Sequence, residues 1–211
     1  MSKTISAGRA PKILIENIGG DLSLVGWEGD DTLLKGDDGD MQYSQDGEQV
    51  TVSCGDDLSL RVPKAASVFI KSIGGDASIR GVMGMIELKE IGGDLSIRDV
   101  NSIAIDMIHA DFSLRGAKGN LSVKSAHSDV SIRDVDGNVT LESVADDLAL
   151  RDVRGNIIAN VAADVVLYLN PQAGNTYSVT AGDDILLVMP PKANATLTLN
   201  GDEIDVEWKG V

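Results

Sequence analysis

Ile91-Gly-Gly-Asp-Leu-Ser-Ile-Arg-Asp-Val100 is one copy of a unit that recurs along the chain. Asp76-Ala-Ser-Ile-Arg80, Asp111-Phe-Ser-Leu-Arg115, Asp129-Val-Ser-Ile-Arg133 and Asp147-Leu-Ala-Leu-Arg151 repeat its order of acidic, apolar, small, apolar and basic residues. Anchored on the acidic residue, the copies start at Asp21, Asp40, Asp57, Asp76, Asp94, Asp111, Asp129, Asp147, Asp164, Asp184 and Glu203, with spacings of 17 to 20 residues. A period near 18 residues, sustained this long, predicts a solenoid whose coils contact only their neighbours.

Within each unit the first and third residues after the anchor are apolar, as in Leu95/Ile97, Val130/Ile132 and Leu148/Leu150. That alternation is the mark of a strand with one buried face. A second alternating pair lies between anchors, among them Ile13/Ile15, Val68/Ile70, Ile86/Leu88, Ile103/Ile105 and Val139/Leu141. Each coil therefore reads as two short strands joined by two corners. The expected fold is all-β: a parallel β-solenoid of about eleven coils, two short strands per coil. Stacking at about 4.8 Å per coil closes the apolar rows into one core and gives a rod on the order of 50 Å long. Residues 1–11 read as a flexible N-terminal tail and 12–211 as a single solenoid domain. Gly75, Gly93, Gly119, Gly137 and Gly155 fall where the chain reverses and are expected to supply backbone freedom. Cys54 falls in the corner slot of Ile73, Ile91 and Val144, which makes it a small buried side chain.

Eighteen basic against 33 acidic residues give a net charge of −15, which argues against nucleic acid or an anionic membrane as the main partner. One cysteine excludes an internal disulfide framework. No apolar run is long enough for a transmembrane segment, and MSKTISAGRAPK lacks the apolar region of a signal peptide, so a cytoplasmic location is expected. Cell-surface association stays open if the natural chain extends beyond this sequence.

The order apolar-x-Gly-Asp-apolar-x-apolar, opened by Ile18-Gly-Gly-Asp-Leu-Ser-Leu-Val-Gly-Trp27, resembles the bacterial and archaeal putative-adhesin family of unknown function, the toast-rack β-strand-repeat domain. Leu60-Arg-Val-Pro63 and Val188-Met-Pro190 are similar to its proline-bearing corners. The resemblance implies a β-solenoid and a loose link to surface adhesion or envelope-stress signalling, and it brings no catalytic residues. Polymerising bacterial solenoid proteins share a similar coil length. Calcium-binding nonapeptide repeats need a glycine spacing that Gly92-Gly93-Asp94 lacks.

Stacked coils turn repeated outward residues into columns. Arg61, Arg80, Arg98, Arg115, Arg133 and Arg151 should line one face beside a serine column, with Asp99, Asp134 and Asp152 compensating part of the charge. Such a stripe is either a solvated ladder or a binding surface for a polyanion or acidic protein, since guanidinium forks suit carboxylates and phosphates. His109 and His127, with Asp111 and Asp129, are a candidate metal site or a solvated corner pair. Val166, Tyr168, Leu186 and Val188 replace the serine and arginine columns near the C-terminus. They form a candidate homodimer interface, or a patch covered by the chain's own residues 205–211. Short corners and few aromatics speak against a glycan-active enzyme, the third reading, so no catalytic residue and no cofactor are expected. The leading expectation is a non-enzymatic binding scaffold, and the second a self-assembling dimer or filament.

Overall fold

A computed structural model of the chain describes residues 2–36 and 39–209. It is all-β, a two-sheeted parallel solenoid flanked at one end by antiparallel strands. The first strands are β1 (Ser2–Ile5), β2 (Lys12–Ile18), β3 (Leu22–Trp27), β4 (Thr32–Gly36), β5 (Met41–Asp46), β6 (Gln49–Cys54), β7 (Leu58–Pro63), β8 (Ser67–Ile73) and β9 (Ala77–Arg80). Next come β10 (Ile86–Ile91), β11 (Leu95–Val100), β12 (Ile103–Ile108), β13 (Phe112–Ala117), β14 (Leu121–Ala126), β15 (Val130–Val135), β16 (Val139–Val144) and β17 (Leu148–Val153). The chain closes with β18 (Ile157–Val161), β19 (Val165–Tyr168), β20 (Asn175–Thr180), β21 (Ile185–Met189), β22 (Ala195–Asn200) and β23 (Ile204–Trp208).

From β10 to β21 the strands alternate strictly between the two sheets, each pairing in parallel with the strand one coil before and after. Both apolar rows are buried as their alternation requires: Leu95, Ile97, Ile132 and Leu150 are at most 1 % exposed, while Arg98 faces out and Ser96 is half-buried. Cys54 is buried opposite Ile18, in the expected slot. The corners after Pro63 and Pro190 close with Ala66 N donating to Pro63 O and Ala193 N to Pro190 O.

The start of the chain departs from simple stacking in three ways. One sheet runs β1-β4-β7-β3-β9-β11, so the first coil lies between the third and the fourth instead of at the end. Met41–Asp46, expected as a parallel strand of the anchor sheet, lies in the other sheet and pairs antiparallel to β6. The Asp46-Gly47 turn, with Gly47 at φ 57°, is the hairpin signal that sends it back. Ser2–Ile5, expected within a flexible tail, is β1, paired antiparallel to β4 with Ile5 buried. An apolar residue of the tail thus finds a place over the end of the core.

The repeated aspartates are explained by the stacking. Asp21 Oδ1 accepts from Asp76 N at 2.8 Å, Asp76 Oδ1 from Asp94 N at 2.9 Å, and Asp94 Oδ1 from Asp111 N at 3.1 Å. The same bond recurs from Asp147 to Asp129, from Asp164 to Asp147 and from Asp184 to Asp164. These anchors satisfy an amide of the next coil at a corner where ladder bonding is interrupted, while Asp111 accepts from Ser128 Oγ instead. The glycines beside it are present for close approach rather than for freedom. None of Gly75, Gly93, Gly119, Gly137 and Gly155 has a positive φ, and a Cβ on Gly93 would occupy the place of the Asp76 carboxylate. The left-handed position is the one after Arg80, Arg98, Arg115, Arg133 and Arg151, held by Gly81, Asp99, Gly116, Asp134 and Asp152 at φ between 52° and 81°. Aspartate tolerates that region better than most side chains.

Candidate binding face

Strand register brings Arg80, Arg98, Arg115, Arg133 and Arg151 into one continuous column on β9, β11, β13, β15 and β17. Adjacent members are one strand spacing apart, about 4.8 Å at the backbone. Arg61 does not join them. It pairs with Val25 of the inserted β3, and Val25 in turn pairs with Arg80, so an aliphatic side chain interrupts the stripe. The expected column of six is a column of five and one outlier, because spatial order differs from chain order.

The column is sparsely neutralised. Of the five arginines, only Arg115 makes an ion pair among the described residues, Nε to Asp134 Oδ2 at 3.8 Å. Asp99 and Asp152, in the same left-handed position as Asp134, make no ion pair to an arginine of the column among the described residues. At the far end the Arg151 guanidinium lies 4.7 Å from the Tyr168 ring centroid, a cation–π contact. Beside the arginines runs the small-residue column Ser59, Ser23, Ser78, Ser96, Ser113 and Ser131.

Two grooves border this face, and sequence reasoning missed both. One, about 560 Å³, lies along the left-handed corners between Asp99, Asp134, Asp136, Asp152, Lys118 and Arg154, with Arg154 Nη1 bonded to Asp136 Oδ1 at 2.7 Å. The other, about 720 Å³, lies over Ser23, Ser59, Ser78 and Ser96, with Lys35 at its edge. The first could have been found by noticing that the Arg-Asp and Arg-Gly steps share one offset. The second depends on the insertion of β3, which leaves no trace in the spacing.

The histidines stack as expected, with ring centroids 5.0 Å apart at 75°, and His109 Nε2 lies 3.1 Å from Glu90 Oε1. The two histidines and the two aspartates of the candidate metal site are not brought to one point. Asp111 accepts from Ser128 Oγ at 2.5 Å and Asp129 from Asp147 N at 3.1 Å. Among the described residues no three His, Cys, Asp or Glu side chains converge to hold an ion. One oxygen of each carboxylate is engaged at the corners, Asp111 Oδ1 by Ser128 Oγ and Asp129 Oδ1 by Asp147 N.

Val166, Tyr168, Leu186 and Val188 do come together through Val166–Leu186 and Tyr168–Val188 pairing. They are not an open patch: Val188 is buried and the other three are half-buried. Residues 204–208 do not fold over them, since β23 continues the sheet beside β21. Residues 210 and 211 lie outside the described part.

The opposite sheet carries a self-neutralising column. Lys89 Nζ and Lys124 Nζ donate to the two oxygens of Asp106 at 2.8 and 2.9 Å, and Lys71 Nζ to Glu16 at 2.9 Å. The hydrogen bonds from Lys89 and Lys124 hold the Asp106 carboxyl below its usual range. A lowered carboxyl contributes stability that is present above its unfolded pKa and lost as pH falls through the lower folded value. Lys124→Met should therefore move the Asp106 titration, followed by carboxyl NMR, back toward the ordinary value. An unchanged midpoint would contradict the paired geometry.

No family model and no curated protein matches the chain. Among solved structures it is similar to the crystal structure of a putative adhesin from Bacteroides fragilis, at 15 % identity and a TM-score of 0.37. That likeness covers 98 % of this chain and 96 % of the other. No helix among the described residues is long and apolar enough to cross a membrane.

Proposed function

We propose that this chain is a non-enzymatic binding scaffold that takes an extended polyanion, such as an acidic glycan, along its arginine column. The observation that carries the reading is the run of five in-register guanidinium groups with a single ion pair among them. A ladder kept only for its own stability would be interleaved with acids, as Asp106 is between Lys89 and Lys124. Guanidinium groups at strand spacing can each take one carboxylate or sulfate of a chain laid across the strands. The repeated aspartates are committed to backbone amides, which favours a scaffold over acid–base catalysis.

Elsewhere the protein is strongly acidic, so attraction to a polyanion is local and salt-screened. Heparin, titrated by calorimetry, is expected to bind at low ionic strength and to be released as salt rises. Arg98→Ala with Arg115→Ala should weaken binding by about tenfold or more, since hydrogen bonds to charged groups contribute about 1.5–3 kcal/mol each. Neutral dextran should not bind. Absence of heparin binding at low salt, or binding indifferent to the double substitution, would leave the column as a solvated ladder.

A further inference from the structure

The two ends of the rod are built differently. At the N-terminal end the edges are the antiparallel strands β1 and β5, with Ile5 and Met41 buried beneath them. That cap is pinned by Ser6 Oγ to Asp31 at 2.6 Å, Arg9 to Asp30 at 3.3 Å and Gln45 Nε2 to Ser6 O at 3.0 Å. At the C-terminal end the edges are β22 and β23, each paired on one side.

No comparable cap closes that second end among the described residues. Tyr177, Val179, Ile185 and Leu187, one coil earlier, are at most 1 % exposed. Their successors Ile204 and Val206 are 41 % and 39 % exposed, Trp208 is 45 % exposed, and Leu197 and Leu199 are only partly covered. Among the described residues the aliphatic core is left uncovered at this end. The edge is also undefended on one sheet: Ala195-Thr-Leu-Thr-Leu-Asn200 carries no charge, proline or bulge, the usual protections of a lone edge.

We propose that this open end docks against the same end of a second copy, about a two-fold axis that crosses both sheets at right angles to the strands. Such an axis reverses strand direction and rod direction but keeps inward faces inward. It therefore sets β22 antiparallel to its mate and β23 antiparallel to its mate in one operation, and closes the apolar rows on each other. A single extended peptide would cover one edge and leave the other bare. On β22 the outward residues that meet are Thr196, Thr198 and Asn200, and cross-strand threonine pairs are favourable. Because the other end is capped, association stops at two copies, a closed isologous pair.

This inference is independent of the polyanion reading, since the arginine column lies on a sheet face and not on the end. The end of two short strands on sheets about 10 Å apart offers on the order of 400 Å² per copy, half a standard interface. The backbone ladders must supply the remainder, and the pair should be weak, with Kd on the order of micromolar to tens of micromolar. Asp205 and Glu207 on β23 come near their mates at the seam, and each copy carries a net charge of −15. Salt should therefore strengthen the pair, opposite to its effect on heparin binding.

Sedimentation of the whole chain from about 1 to 200 µM, at low salt and about 0.3 M salt, covers the expected Kd range. The mass should rise toward two copies with concentration and with salt. Thr198→Lys, outward on β22 and clear of the core, should weaken the pair by about tenfold or more by setting like charges across the seam. Gln42→Lys on the capped end should leave it unchanged. Hydrogen exchange should show β22 and β23 amides protected only at high concentration. Monomer throughout, growth beyond two copies, or equal effects of the two lysines would each overturn the proposal. So would edge amides whose protection does not depend on concentration.

Discussion

Ile132→Ala is expected to destabilise the protein by about 2–5 kcal/mol, the range for truncating a buried aliphatic side chain. Ile132 is 1 % exposed and lies between Leu114 and Leu150 in the row that runs through the rod. The neighbouring coils are held in register by parallel ladders and by the aspartate corners, so the space cannot close by local collapse. The cost should fall toward the upper part of that range because the cavity persists. Ser131→Ala, one residue away on the outward face, should shift the melting midpoint little. Thermal melting of the pair separates the faces of the strand, and a near-neutral Ile132→Ala would show the register to be wrong.

Gly26→Ala is the sharper test of strand order. Gly26 lies in β3 where it is wedged between β7 and β9, and a Cβ there would be driven into the Gly81 carbonyl and Val82 N. These are backbone atoms, which cannot rotate away. The substitution should cost at least the roughly 1–3 kcal/mol of an overpacked core, with denaturant midpoint as the readout. If β3 instead lay at the end of the rod, as chain order implies, that crowding would be absent. An unchanged midpoint would then favour sequential stacking.

The binding face was partly legible. Serine and arginine two residues apart announce their own columns, because outward positions in a strand depend only on parity. Which coil neighbours which is not carried by the pattern: Arg61 shares the offset of the other five arginines, yet Val25 stands between it and Arg80. The corner carboxylates show a related effect: Asp111 and Asp129 keep the repeat spacing beside the histidines, but in the folded chain one oxygen of each bonds to Ser128 Oγ and to Asp147 N.

By itself the sequence determined the coil: its period, its two strands, its inward rows and the outward identity of each column. All of these follow from local alternation and from the need to bury both apolar faces. Tertiary structure alone decided the insertion of β3, the antiparallel β1, β4 and β5, the use of glycine for close approach, and the contrast between a capped and an open end. Strands with the same apolar row are interchangeable neighbours as far as pattern goes. Their order is settled by which edges remain free to pair once the whole chain is in place.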